Sequence, residues 1–285
     1  MCRFARACTS TRRAQAPTRA ELLEIIAVYS IKGGVGKTTT AVNLAYLSAQ
    51  AGWPTLLWDL DPQGAATFML RSQPRKKSGA KEVIGGERDL DELVRSTDYE
   101  RLDILPADFS YRRMDLHLHD RRRSRERFNE LMRPLHRRYG CLFLDCPPGL
   151  SLVSENVLNA ADALLIPVVP SPLSTQMLHQ LIDFISRKNW KDLVLLPFFS
   201  MVDRRRKLHK DIVAEIGSTF PMMLGTQIPY SSEVEQASVR RAPLPAYAPR
   251  NLMALIYAAL WQEIDYHMDA VYRRKRRVAA EPARE

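Results

Sequence analysis

Cysteine is scarce: the 285-residue chain has four, Cys2, Cys8, Cys141 and Cys146. None of them forms a CxxC pair, which argues against a structural zinc site, and the sparse usage suits a reducing cytoplasm. Long apolar runs are missing as well. None reaches the roughly 18 residues that would read as a membrane-spanning helix. Acidic residues are the third deficit, with 32 Asp and Glu against 42 Lys and Arg, a formal charge of +10. That imbalance calls for an anionic partner, nucleic acid ahead of membrane, unless the protein is simply basic. Residues 1–22 are basic and lack the apolar run of a secretory signal. They read as a disordered basic arm, or as the product of a misassigned start.

What is present is a core and a rhythm. Apolar residues make up 46% of the chain, enough to bury a sizeable interior. Near-continuous apolar strands at 24–30, 55–59, 102–106, 141–145, 163–168 and 193–199 alternate with helical patterns at 37–50, 89–96, 121–138, 150–160, 173–188, 205–217 and 250–272. A short strand is expected near 225–228, and the polar stretch 71–88 reads as a loop. Pro134 is expected to kink the helix that contains it. This order predicts an α/β fold, a doubly wound, mostly parallel sheet with helices on both faces. One domain then spans 23–272, followed by a basic flexible tail at 273–285.

The first strand meets the first helix through Ile31-Lys32-Gly33-Gly34-Val35-Gly36-Lys37-Thr38-Thr39. Glycines let the backbone wrap close to phosphate, the amides form an anion nest, and the helix start adds its positive dipole end. Lys37 is placed to contact the β- and γ-phosphates of a nucleoside triphosphate and Thr38 to put its hydroxyl on Mg²⁺. The usual pattern has glycine where this chain has Ile31, and a second lysine, Lys32, stands beside the loop. Asp59 and Asp61 end the second strand and Asp145 the fourth, at the carboxyl edge where ligands bind in such sheets. An acidic residue after Leu142-Phe143-Leu144 is the pattern that holds a Mg²⁺ shell.

KGGVGKTTT at 32–40, LLWDLDPQG at 56–64 and CLFLDCPPG at 141–149 together resemble the ParA/MinD family of deviant P-loop ATPases. DPQG at 61–64, DCPPG at 145–149, MVDRR at 201–205 and PLPAYAP at 243–249 look closer to its ParA branch. The resemblance implies ATP and Mg²⁺ as cofactors, bound by Lys32, Gly33, Gly34, Val35, Gly36, Lys37, Thr38 and Thr39. The base is expected to lie near Asp203 and Pro229. Lys32 takes the role of the lysine that crosses to the partner's ATP in a homodimer. Two lysines around one triphosphate fit that role, since one loop does not need both. Asp61 is assigned to the attacking water and Asp59 to the vicinity of Mg²⁺. Hydrolysis is expected to be slow and stimulated by a cargo adaptor. The turn Pro147-Pro148-Gly149 belongs, in relatives, to a switch that senses the γ-phosphate.

Three basic clusters stand out: the arginines of 121–138, Arg204 to Lys210, and Arg273 to Arg277. Each suits non-specific phosphate contact or a merely solvated helix face. The resemblance implies non-specific DNA binding by the ATP dimer. After Ile228-Pro229, however, many relatives carry arginines where this chain has Tyr230-Ser231-Ser232-Glu233, so Arg205, Arg206, Arg240 and Arg241 are the candidate DNA contacts. The expected function is partitioning of a plasmid or chromosome region from a cytoplasmic, nucleoid-associated position. Alternatives are positioning of a protein cargo such as a carboxysome or chemotaxis array, a MinD-like membrane role for the helix at 252–272, and a redox ATPase that bridges its dimer through cysteines.

Overall fold

The computed structural model describes residues 22–76, 78–119, 126–188, 190 and 192–280, with side chains described up to residue 275. The arm at 1–21 and Arg121, Arg122, Arg123 and Arg125 lie outside the described residues. Seven strands form one sheet in the order β3-β4-β2-β5-β1-β6-β7. They are β1 (Glu24–Val28), β2 (Thr55–Asp59), β3 (Arg95–Ser96), β4 (Leu102–Leu105), β5 (Cys141–Asp145), β6 (Ala163–Val168) and β7 (Val194–Phe199). All pairings are parallel except β3 with β4. β1, β2, β5 and β6 are buried along their whole length. This explains their unbroken apolar character, since helices cover both faces. The two hydrophobic cores lie on either side of the sheet. Tyr29, Trp58 and Leu144 belong to one, and Val28, Leu57 and Phe143 to the other.

The helices are α1 (Lys37–Gln50), α2 (Ala65–Met69), α3 (Ala80–Gly85), α4 (Leu90–Leu93), α5 (Met114–His119), α6 (Arg127–Met132), α7 (Leu152–Ala160), α8 (Pro172–Lys188), α9 (Lys207–Thr219), α10 (Ser232–Arg240), α11 (Leu244–Tyr247) and α12 (Leu252–Ala280). Several expectations need correction. The loop at 71–88 contains α3, and the helix expected at 89–96 stops at Leu93, after which the chain extends into β3. Within 121–138, α6 gives way at Arg133 to a 3₁₀ turn that carries Pro134 in its first positions, because proline cannot continue the α-helical hydrogen bonding. No strand forms at 225–228. The Glu263 carboxylate takes the N–H groups of Gly225 and Thr226, at 2.6 and 3.0 Å, and removes the donors a ladder would use.

The last helix does not stop at 272. It runs through Ala280, and its buried stripe of Leu260, Ile264, Met268 and Val271 packs into the core beneath the sheet. Arg274 donates to the Asp192 carboxylate at 2.8 Å. Lys275 Nζ donates to Asp162 Oδ2 at 2.6 Å and to the Leu23 carbonyl, while the same carboxylate oxygen accepts the Ile25 N–H at 2.7 Å. Lys275 thereby pins α12 to the start of β1 and the start of β6. Both side chains are mostly covered, so truncation leaves a charged acceptor under-satisfied. Lys275→Ala is expected to lower stability by about 1–3 kcal/mol, read as a shifted urea midpoint. An unshifted midpoint would show that the contact is dispensable.

Candidate functional site

The turn between β1 and α1 is shaped by two glycines in the left-handed region, Gly34 at φ 70° and Gly36 at φ 88°. Gly36 is also the residue that starts α1, and a Cβ there would stand 3.2 Å from Ser200 Oγ. That hydroxyl donates to the Val35 carbonyl at 2.9 Å, so the end of β7 clamps the turn. Around Gly33 and Gly34 the space is open, with no heavy atom within 4 Å of an added Cβ. The first helical bond runs from Thr40 N–H to the Gly36 carbonyl, at 3.0 Å. The amides ahead of it have no acceptor within the helix, which is what leaves such a turn able to bind an anion.

Lys37 is buried, and its ammonium reaches the Lys32 carbonyl at 3.5 Å. Burial lowers its pKa, while the neighbouring Asp145, Cys146 and Asp61 push it back up. Lys32 points elsewhere. It is half-buried, and its Nζ lies 3.3 Å from Ser174 Oγ in the first turn of α8.

The acidic residues meet because β2 and β5 are neighbours in register, Asp59 opposite Asp145. Their tasks differ. Asp59 Oδ2 accepts the Thr67 N–H and hydroxyl at 2.8 and 2.7 Å, so it anchors α2. Burial lifts its carboxyl to about 6 in spite of those bonds. Asp145 is fully buried, and neither of its oxygens has a hydrogen-bond partner among the described residues, although the Thr38 hydroxyl acts on it in the lowering direction. Burial, followed by the nearby Asp59, raises its pKa well above the usual carboxylate range. Asp61 is half-buried. Its Oδ1 accepts from Gln63 N–H at 3.0 Å, and its carbonyl from Gly64 N–H at 2.9 Å.

A buried carboxylate without partners invites a cation. Asp145 with the Thr38 hydroxyl is a hard-oxygen set suited to Mg²⁺, which commonly uses one or two protein ligands and takes the rest from phosphate and water. Among the described residues no cluster of three or more His, Cys, Asp or Glu makes a metal cage unaided. Asp59 contributes charge to this spot more than a free ligand oxygen. The turn after β5 is tied to the same place: Tyr29 donates its hydroxyl to the Gly149 carbonyl at 2.9 Å, and Gly149 N–H donates to the Ile31 carbonyl at 3.2 Å. The segment Pro147 to Gly149 is therefore hydrogen-bonded to the start of the phosphate turn.

A family profile described as an AAA domain matches residues 23–192. The sporulation initiation inhibitor protein Soj of Bacillus subtilis is 29% identical over 247 residues, covering 85% of this chain and 98% of its own. The chromosome partitioning protein ParA of Myxococcus xanthus is 31% identical over 246 residues, covering 84% and 87%. The chain belongs to the ParA/MinD family of P-loop ATPases. A cobyrinic acid a,c-diamide synthase from Mycobacterium smegmatis, solved with an ATP analogue and magnesium, superposes with a TM-score of 0.72 at 25% identity, covering 87% of this chain and 96% of its own. McdA of Cyanothece in complex with ATP shares the fold, with a TM-score of 0.73 at 21% identity over 85% of this chain and 96% of its own.

Against this ParA-like frame the remaining expected residues separate. Gly36, Thr39, Met201, Pro229 and Tyr230 line a small cavity of about 70 Å³ beside the phosphate turn. Asp203 lines a wider groove that shares Pro229 and Tyr230 with it. The Asp203 carboxylate is gripped by Arg205 at 3.0 and 3.1 Å, which pulls its pKa down to about 2. Arg206 stands at the residue before α9, makes no capping bond with its side chain, and is exposed. The Arg240 guanidinium lies 4.9 Å from the centre of the Tyr247 ring, and Arg241 donates to the Phe68 carbonyl at 3.0 Å. Cys141 and Cys146 are both buried, and they belong to the cores on opposite faces of the sheet. Sequence reasoning missed Ser200, Ser174 and Thr67. Only Ser200 carried a signal, as the polar residue that ends an apolar strand.

Proposed function

We propose that this protein is a Mg²⁺-dependent ATP switch of the ParA kind that partitions a chromosome or plasmid region. ATP closes two subunits over the nucleotide, the dimer holds DNA without sequence preference, and a cargo-bound adaptor stimulates slow hydrolysis and release in the nucleoid. The observation that carries this reading is the divergence of the two lysines in one turn. Lys37 is buried towards Asp145, whereas Lys32 sits at the rim on Ser174. A lysine at the rim can serve a second subunit, and one cation per phosphate site then couples nucleotide binding to association.

When bound, Mg²⁺ supplies charge neutralisation at the β- and γ-phosphates. The chain's own residues do the rest. The turn amides and Lys37 bind the phosphates, and Thr38 and Asp145 orient the metal side. Asp61, whose Oδ2 makes no hydrogen bond among the described residues, orients the attacking water. The packing of α12 speaks against the lipid-surface alternative. Its stripe is buried, and no described helix is long and apolar enough to cross a membrane. One feature favours a protein cargo instead: Ser231 and Glu233 after Ile228-Pro229 build the start of α10 and supply no cation.

Light scattering with ATP, ADP or no nucleotide, each with Mg²⁺, tests the switch. The parent protein is expected to dimerise with ATP alone, Lys32→Ala to bind ATP as a monomer, and Asp61→Ala to bind ATP and remain dimeric. Wild-type turnover in Asp61→Ala would refute its assignment, and dimers of Lys32→Ala would refute the trans role. Retention of random duplex DNA at two salt concentrations separates the cargo readings. ATP-dependent retention supports partitioning, and its absence favours a protein cargo.

A further inference from the structure

Several of the conspicuous basic residues are already ion-paired. Arg205 is paired with Asp203, Arg274 with Asp192, Lys275 with Asp162, and Arg127 with Glu130. A different set stands along the edge of the sheet beyond β4, where a polar trough of about 900 Å³ runs past the short strand β3. Arg71, Arg75, Arg88, Arg95 and Arg138 line it, and none of the phosphate-site residues does.

Three of these guanidinium groups are held by backbone carbonyls. Arg75 donates to the Val94 carbonyl at 3.4 Å, and Arg95 to the Gln73 carbonyl at 3.3 Å. Arg71, a non-glycine residue at φ 52°, donates to the carbonyls of Arg240 and Arg241, both at 3.1 Å. A carbonyl fixes an arginine fork but leaves its full charge, whereas a carboxylate cancels it. Arg88 is exposed and makes no ion pair among the described residues. Two acids also face the trough. Asp91 is engaged by Arg138, which also reaches Asp103, and Glu92 remains as the opposing charge. Arg71 also forms a long, exposed ion pair with Asp98 at 3.8 Å, so its charge is partly offset near one end. The balance stays positive. Arg241, itself bound to the Phe68 carbonyl, extends the strip through Arg71 to the end of α10.

We infer that this arginine strip, Arg241-Arg71-Arg75-Arg95-Arg88, in which all but Arg88 are anchored on backbone carbonyls, is the surface that holds the phosphate backbone of duplex DNA. The inference rests on the partitioning reading above and names the surface that reading leaves open. Pre-positioned guanidinium forks suit phosphate oxygens, and the neutral donors Ser72, Gln73 and Ser96 beside them carry no base-reading arrangement, so the contact is sequence-blind. The position at the sheet edge keeps the DNA clear of the nucleotide site, which leaves that end free for a second subunit.

The test is filter retention of random duplex DNA by the ATP-loaded full chain across a salt series, for the parent and for Arg75→Ala/Arg88→Ala/Arg95→Ala. A second variant, Arg204→Ala/Arg206→Ala/Arg240→Ala, removes cations outside the strip. ATP affinity and melting temperature serve as checks on folding. The strip variant is expected to bind DNA more weakly, with the slope of log affinity against log salt reduced by about 1 per arginine removed, and with ATP affinity unchanged. The second variant is expected to keep the parental slope. A parental slope in the strip variant, or a loss confined to the second variant, overturns the location. A parent that retains no DNA overturns both this inference and the partitioning reading. A parent that prefers vesicles containing phosphatidylserine to DNA, and loses them in the strip variant, overturns DNA as the occupant.

Discussion

Lys37→Ala is expected to weaken Mg²⁺-nucleotide binding by at least about 100-fold, roughly 2.8 kcal/mol at 1.4 kcal/mol per tenfold, measured by calorimetry with ATP and with ADP. The size follows from where the ammonium sits. It is buried against Asp145 and Asp61, so its interaction with a phosphate is weakly screened. Removal costs that charge-assisted bond and also leaves Asp145 without its nearby cation. Lys37→Arg is no rescue, because the planar fork does not fit a position built around a point charge and the Lys32 carbonyl. Both nucleotides should lose affinity, since the β-phosphate is common to them. Lys32→Ala should leave single-subunit binding nearly intact, because Lys32 is bonded to Ser174 at the rim. Equal losses in the two alanine variants would contradict the division of labour between the lysines.

The phosphate turn was legible in the sequence because its determinants are local. Strand, glycines, lysine and helix follow one another within about twenty residues, and each has a stereochemical reason to be there. The strand-end acids were legible for a similar reason: a parallel sheet brings the carboxyl ends of its strands together, and the β2–β5 register sets Asp59 against Asp145. What was not legible depends on partners far along the chain. Lys275 reads as tail until Asp162, 113 residues away, is placed beside it. That the fork of Arg205 closes on Asp203 is not visible in the sequence either, and Arg75 reads as loop and Arg95 as helix until the carbonyls that hold them are known. The short helices α2, α3 and α5 escaped because five or six residues cannot show a helical period, and tertiary contacts decide their conformation. Asp59 is placed near Mg²⁺ by its strand-end position and by the family resemblance, and a further task is not visible there. Its bonds to Thr67, eight residues on, show an anchor for α2.

Asp145→Asn is expected to make the nucleotide-free protein more stable at neutral pH by roughly 1–3 kcal/mol and to abolish the additional thermal stabilisation that Mg²⁺ gives in the presence of nucleotide. The first effect follows from the buried, unpartnered oxygens of Asp145. Its folded pKa is raised by burial and by Asp59, so the folded protein binds the proton more tightly than the unfolded chain does. For such a group the stabilising contribution is fully present below the ordinary carboxyl pKa and is lost as pH rises through the raised folded value. The parent should therefore lose stability across that interval in the absence of Mg²⁺, and the asparagine variant should lose less. The second effect has the opposite sign because a cation offsets the ionised carboxylate, so Mg²⁺ with nucleotide should stabilise the parent increasingly as pH rises. Thermal melts at several pH values, with and without Mg²⁺ and ADP, separate the two effects. An asparagine variant less stable than the parent in every condition would mean that Asp145 is held by contacts within the fold rather than left for a metal.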